Sequence, residues 1–400
     1  MHHNESVYGE IAILAQELAG QQLRLATRPE LPDYAAPAPA LDLLATHIAA
    51  TPAQRLLILG DELGTLASML TRCGAEVQAR VASLIGRDLN RRTMALNGLR
   101  WSLLADAVGV PADAAGYDIV AMIAPSQRDL ARRWLLEAFS ALKPGGQLYL
   151  AGANRAGIQP IIADTAALFG SAGQIANRAR QRVAMAWRPG NLPCVPDWAQ
   201  AAGIAPASWY EFVVDCRGQQ LQIASRPGIF AYRQLDAGTA MLLDVLDVPP
   251  GAAVLDVGCG YGIIGVLAAK LGAGRVDLVD NSFAAVAAGR QTITRNRIAH
   301  ARALAGDVLS TLAGQRYDLI LSNPPFHSGK QTSYAVTRAL ISQARAALNP
   351  GGRMLLVANR FLPYEQELQA HFAEVTQLAG DERYRVLQAR QALLMSTDKT

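Results

Sequence analysis

The sequence predicts an α/β protein built from two tandem, doubly wound domains of Rossmann-like type, the N-terminal copy degenerate. Three observations carry this. Apolar runs of strand length alternate with helical segments, the order that gives a parallel sheet covered by helices. One such run, Val254-Leu255-Asp256-Val257, passes straight into the glycine-rich turn Gly258-Cys259-Gly260-Tyr261-Gly262 and then into an apolar helix. Four segments also recur in the same order in both halves, which marks duplication of a whole domain rather than a short-period repeat.

The first half is legible through those matches. Leu56-Leu57-Ile58-Leu59-Gly60 parallels Val254-Leu255-Asp256-Val257-Gly258, and Tyr117-Asp118-Ile119-Val120 parallels Tyr317-Asp318-Leu319-Ile320. Ala141-Leu142-Lys143-Pro144-Gly145-Gly146 parallels Ala347-Leu348-Asn349-Pro350-Gly351-Gly352, and Ala153-Asn154-Arg155 parallels Ala358-Asn359-Arg360. The ligand-binding parts do not recur. Gly60-Asp61-Glu62-Leu63-Gly64 puts bulk and two carboxylates where backbone must approach a ligand, and roughly Ala124-Pro125-Ser126-Gln127 replaces Asn323-Pro324-Pro325-Phe326. Residues 1–200 are therefore expected to form a domain that keeps the fold without the chemistry.

Arg188-Pro189-Gly190-Asn191-Leu192-Pro193, with Pro196 and Pro206, is rich in helix breakers and predicts a connecting region. Residues 210–214 and 220–224, separated by a turn containing Gly218, predict a hairpin leading into the second domain, residues 205–400. There the pattern predicts strands over 253–257, 275–279, 317–321 and 353–358. Helices are predicted over 262–271, 282–296, 333–348 and 365–372. Asn349-Pro350-Gly351-Gly352 predicts a turn that stops a helix and starts a strand.

Composition sets the outer bounds. Four hundred residues suit two domains of about 200. With 51% hydrophobic and 18% charged residues the chain has ample core material. The mean hydropathy of +0.13 owes much to alanine. No run reaches the roughly 18 apolar residues of a membrane span. No basic segment leading into an apolar core opens the chain, so neither a signal peptide nor a membrane partner is expected. The four cysteines are scattered without a CxxC pair, which argues against structural zinc and disulfides and for a cytoplasmic protein with free thiols. A formal charge of +4 permits an anionic partner without requiring one.

The glycine loop has a simple physical logic. Glycines allow positive φ and let a ligand lie against backbone, and the following helix offers unpaired N–H groups. Asp256 precedes the loop, where a carboxylate repels phosphate but suits a cationic amino-acid head. S-adenosylmethionine, with its ammonium and sulfonium, therefore fits better than NAD. Gly258, Gly260 and Gly262 form the cradle. Asp280 ends the next strand, where an acid accepts both ribose hydroxyls. Asp307 is placed to accept from an adenine amino group, with Val308 offering its N–H; the competing reading of each aspartate is a helix N-cap.

Asn323-Pro324-Pro325-Phe326, at the end of the apolar run Tyr317 to Leu321, is the most specific element. The lone pair of an exocyclic amine on a base is delocalised into the ring. Two acceptors near its hydrogens, the Asn323 side-chain oxygen and the Pro324 carbonyl, favour a pyramidal nitrogen with its lone pair available. Prolines hold those acceptors rigidly. Phe326 offers a face for stacking an extruded base, worth roughly 1–3 kcal/mol. His327 reads as a structural hydrogen-bonder. Lys330 reads equally as a phosphate contact or a solvated lysine. Arg178, Arg180, Arg182 and Arg188, with Trp187, form the densest basic run, for which a solvated helix face is the ordinary explanation.

Asn323-Pro324-Pro325-Phe326-His327, Gln331-Thr332-Ser333 and Val357-Ala358-Asn359-Arg360-Phe361-Leu362-Pro363-Tyr364 resemble the bacterial ribosomal RNA guanine-N2 methyltransferases, nearest their small-subunit branch. Phe230 and Asp236-Ala237-Gly238-Thr239 resemble the family's segment ahead of the cofactor loop. The likeness is close from about Ser225 to Leu393 and mainly architectural before that. It implies two class I methyltransferase domains, the first an inactive copy, which reads as a scaffold or an RNA-gripping module. It also implies S-adenosylmethionine as donor, a guanine amine of 16S rRNA as acceptor and ribosomal RNA or the small subunit as partner. A monomer without metal is expected. The alternatives are a large-subunit guanine-N2 enzyme, an adenine-N6 or other exocyclic-amine enzyme and, in a different class, a non-catalytic RNA-binding assembly factor. The intact loop and Asn323 argue against the last.

Overall fold

The structure is a computed structural model in which residues 8–100, 116–191, 195–324 and 329–392 are described. It divides into two compact units, Met1–Trp209 and Tyr210–Thr400.

The first unit opens with the hairpin β1 (Ala12–Leu18) and β2 (Gln21–Thr27) and the short helices α1 (Pro32–Ala35) and α2 (Ala40–Ala45). There follow β3 (Arg55–Leu59), α3 (Thr65–Arg72), β4 (Glu76–Arg80), α4 (Leu84–Leu96) and β5 (Tyr117–Ile123). The unit continues with α5 (Arg128–Ala141), β6 (Leu142–Ala153), α6 (Ile158–Phe169), β7 (Gly173–Arg178) and β8 (Gln181–Trp187). The sheet order is β4-β3-β5-β6-β8-β7, parallel through β6 and antiparallel thereafter. Leu56, Ile58, Ile119 and Ala121 enter one core; Leu57, Leu59, Val120 and Met122 enter the other. A sheet buried on both faces is why these strands read as unbroken apolar runs.

The second unit begins with the hairpin β9 (Tyr210–Cys216) and β10 (Gln219–Ser225), then α7 (Ala237–Val245), β11 (Ala253–Val257) and α8 (Ile263–Lys270). Next come β12 (Arg275–Asp280), α9 (Phe283–Arg295), β13 (Ala301–Ala305), β14 (Tyr317–Ser322) and α10 (Gly329–Ala347). It ends with β15 (Leu348–Asn359), α11 (Tyr364–His371), β16 (Glu374–Gly380) and β17 (Tyr384–Arg390). The order β13-β12-β11-β14-β15-β17-β16 reverses direction at β11 and β14, the switch point at which doubly wound sheets hold ligands.

The two units repeat side-chain bonds as well as topology. Thr93 Oγ1 accepts from Ala26 N at 2.9 Å and Thr292 Oγ1 from Ala224 N at 3.2 Å. Asp118 accepts from Arg55 N, and Asp318 from Ala253 N, both at 2.9 Å.

Three expectations change in detail. Leu348 already pairs with Tyr317, and pairing resumes at Arg353 with Leu319, so the predicted turn over 349–352 is an irregularity inside β15. The connecting region does not stand free: Ala199 and Ile204 are buried, and Arg133 Nη1 donates to the Gly203 carbonyl at 3.1 Å, so 195–209 packs with the first unit. The arginine run over 178–188 lies on the β7–β8 hairpin, not on a helix face. Among the described residues, no helix is long and apolar enough to cross a membrane.

Candidate active site

The two motifs meet where β11 and β14 lie side by side. Val257 and Ser322 are register partners, and Ser322 Oγ donates to the Val257 carbonyl at 2.8 Å, tying the two strand ends together.

All three loop glycines have positive φ: 70° at Gly258, 54° at Gly260 and 86° at Gly262. Their surroundings differ. A Cβ on Gly258 would meet nothing within 4 Å, and one on Gly260 only Ile229 Cγ2 at 3.8 Å. A Cβ on Gly262 would sit 2.9 Å from Leu278 Cδ2 and 3.2 Å from Gly289 Cα. The first two keep backbone open to a ligand; the third lets the loop close onto β12 and α9.

The acidic positions are drawn into the same loop. Asp280 Oδ2 accepts from Gly260 N at 3.0 Å and Oδ1 from Ser282 N at 2.8 Å, so this carboxylate fixes the loop while ending β12. Burial pushes its pKa up, and the two N–H groups pull it back. Asp256 is fully buried, with Oδ2 accepting from Gly265 N in the first turn of α8 at 2.9 Å. Among the described residues its Oδ1 has no hydrogen-bond partner. Desolvation raises the Asp256 carboxyl to about 7 against the opposing Gly265 N–H, with Asp280 adding to the rise. Expected as a counter-charge beside the loop, Asp256 binds the first turn of α8 through one oxygen, and the other has no partner among the described residues. An unsatisfied buried acceptor beneath an open glycine loop fits a ligand rich in donors and positive charge.

Asp307 follows β13. Its N–H donates to Ser310 Oγ at 3.0 Å, and buried Val308 takes a φ of 53°, an uncommon setting for a β-branched residue. Cys259 is buried, and burial with Asp280 and Asp256 raises its thiol well above the usual range, which favours the neutral thiol.

Asn323 follows β14. Its Nδ2 donates to Asp236 Oδ2 at 3.1 Å and to Thr239 Oγ1 at 2.7 Å, while Oδ1 is buried and without a partner among the described residues. Pro324 is buried next to it. Pro325, Phe326 and His327 lie outside the described residues, as does the side chain of Lys330. The sequence singled out Asp236 and Thr239 only through a resemblance; an acid three residues ahead of a threonine at a helix start was the available signal.

The first unit fills the matching positions with side chains. Where Gly260 stands open, Glu62 sends its carboxylate to Ala82 N at 2.7 Å and to Ser83 Oγ at 2.8 Å. Arg80 ends β4 where Asp280 ends β12; it pairs with Glu137 at 2.6 Å and lies over the Trp134 ring. A Cβ on Gly60 would come within 3.0 Å of that same Trp134. Asp61 caps α3 through Thr65 N and Ala67 N, both at 3.0 Å. Among the basic side chains, Arg188 donates to the Leu142 carbonyl and lies over Phe139, and Arg182 donates to Asn154 Oδ1 at 2.6 Å. Arg178 and Arg180 are exposed.

Residues 220–388 match the family model of the Methyltransferase small domain, so the second unit is a methyltransferase of the doubly wound class that uses S-adenosylmethionine. The ribosomal RNA small subunit methyltransferase C of Chromohalobacter salexigens is 39% identical over 269 residues, 66% of this chain and 76% of that protein. The protein of the same name from Klebsiella pneumoniae is 32% identical over 361 residues, 88% and 98% of the two chains. The chain belongs to the ribosomal RNA small subunit methyltransferase C family. A solved structure of the T. thermophilus 16S rRNA N2 G1207 methyltransferase, in complex with AdoMet and guanosine, superposes with a TM-score of 0.79 at 28% identity. It covers 96% of this chain and 99% of its own.

Proposed function

We infer that the protein transfers a methyl group from S-adenosylmethionine to the exocyclic N2 amine of a guanine in 16S rRNA. The observation that carries this is the buried, unpartnered Oδ1 of Asn323, an acceptor held ready beside an open glycine loop.

Gly258, Gly260 and Gly262 cradle the cofactor, Asp280 accepts from its ribose, and Asp256 faces its amino-acid end with the spare Oδ1. Asp307 and Val308 take the adenine edge. Bound there, the cofactor supplies an electrophilic methyl group and leaves as a thioether. Asn323 Oδ1 and the Pro324 carbonyl accept from the amine hydrogens, and that pull weakens conjugation of the nitrogen lone pair with the ring. Phe326 stacks on the extruded base. No residue has to act as a strong base, because the amine proton leaves after the nitrogen has bonded to carbon. Most of the acceleration comes from alignment.

The first unit grips RNA, supported by exposed Arg178 and Arg180 on a hairpin tip. Action as a monomer in the cytoplasm, on ribosomal RNA, belongs to the same reading. The test is to incubate the protein with labelled S-adenosylmethionine and 16S rRNA, naked or assembled, and digest to nucleosides. N2-methylguanosine at the nucleotide equivalent to G1207, the one named for the T. thermophilus enzyme, is the expected product. N6-methyladenosine, or label only in a parallel incubation with large-subunit RNA, would overturn the reading.

A further inference from the structure

We propose that Asp236 and Thr239, at the start of α7, are positioning residues that set the direction of the Asn323 amide and so determine turnover. This rests on the role given to Asn323 above. Asp236 is the N-cap of α7 and accepts from the Thr239 N–H at 3.0 Å, so cap and clamp are one structure. The same Asp236 Oδ2 accepts from Asn323 Nδ2 at 3.1 Å, and Thr239 Oγ1 accepts from it at 2.7 Å. Both groups use the amide as a donor. Together they occupy its NH2 end and leave Oδ1 as the free acceptor.

An amide can rotate by half a turn with little change of shape, and in the wrong sense Asn323 would offer N–H groups to an amine that also has only N–H groups to give. Two acceptors on the NH2 end make that rotation costly, since it would set the amide oxygen against a carboxylate oxygen. Electron density drawn toward the N–H bonds also makes Oδ1 a better acceptor. Closeness is part of the design: a Cβ on Gly238 would lie 3.2 Å from Asp236 Oδ2 and 2.9 Å from Val357 Cγ1. Glycine there lets the helix start pack between β15 and the amide.

The test uses the full chain, S-adenosylmethionine and 16S rRNA. Thr239→Val keeps the shape of the side chain and leaves the backbone cap from Asp236 in place. It should lower kcat on the order of 10²-fold, the scale of a misplaced reacting group. KM for both substrates and the thermal midpoint should hold, and Thr239→Ser should restore the rate. In an Asn323→Ala background, Thr239→Val and Asp236→Ala should cost nothing further, because the group they position is gone. Equal losses in both backgrounds, a loss confined to KM, or wild-type kcat in Thr239→Val would each overturn the proposal. Near-normal turnover in Asn323→Ala alone would instead remove the acceptor role itself, a separate failure read from a separate variant.

Discussion

Burial raises the carboxyls of Glu62 and Asp256 each to about 7, from ordinary values of 4.5 and 3.8. For Glu62 desolvation leads, opposed by the Ala82 N–H and the Ser83 hydroxyl. The sign follows from proton counting. Between the unfolded and folded values the native protein holds more protons than the unfolded chain, so stability falls as pH rises through that window. Urea unfolding should therefore give decreasing stability from pH 5 to pH 8, and the Glu62 carboxyl should titrate by carbon NMR near 7. A midpoint near 4.5 would mean the cleft of the first unit is wet. The proposed function puts catalysis on Asn323. Asn323→Ala should remove on the order of 10²-fold or more of turnover, the scale for one aligned acceptor, while calorimetry finds cofactor affinity unchanged.

On the proposed cofactor cradle, the glycine loop should separate binding from folding within one element. Gly260→Ala adds a Cβ where the protein has room, so its structural cost is the left-handed backbone, about 1–2 kcal/mol. At about 2–4 °C per kcal/mol for a unit of this size, the midpoint should drop by only a few degrees. On the proposed cradle, cofactor affinity should collapse, since the added Cβ takes up room left for the ligand. Gly262→Ala meets Leu278 and Gly289 instead, so it should cost more stability than Gly260→Ala does. Equal effects on both measurements would show that the loop has one job, not two. The loop, its flanking strand and Asn323 were all legible as sequence because each is a local pattern: a run, a turn, a stiffened strand end.

At the scale of the molecule, two units with one architecture have diverged in what fills the cleft. Glu62, Trp134 and Arg80 occupy in the first what stays open in the second. Titration with S-adenosylmethionine should therefore give one site per chain. In the proposed RNA-gripping role, the exposed hairpin arginines would supply charge rather than a pocket. Replacing Arg178 and Arg180 with alanine should raise the apparent KM for rRNA and flatten its dependence on salt, by about one unit of log–log slope per lost phosphate contact. Arg188→Ala should act on stability, because its guanidinium is committed to the Leu142 carbonyl and the Phe139 face. An unchanged salt slope in the double variant would move the RNA surface elsewhere.

The recurrence of four segments, the alternating α/β order, the glycine-rich turn and the asparagine at the end of β14 were legible in the sequence, since these are written in periodicity and in residues whose backbone preferences act locally. Only the tertiary structure decided what the side chains do with one another. It turned Asp256 toward α8, gave Asp280 to the Gly260 N–H, filled the first cleft from Trp134, and set Asp236 and Thr239 on the amide of Asn323. Those pairings join residues far apart in the chain, and burial selects them because a polar group removed from water must find its partner within the fold.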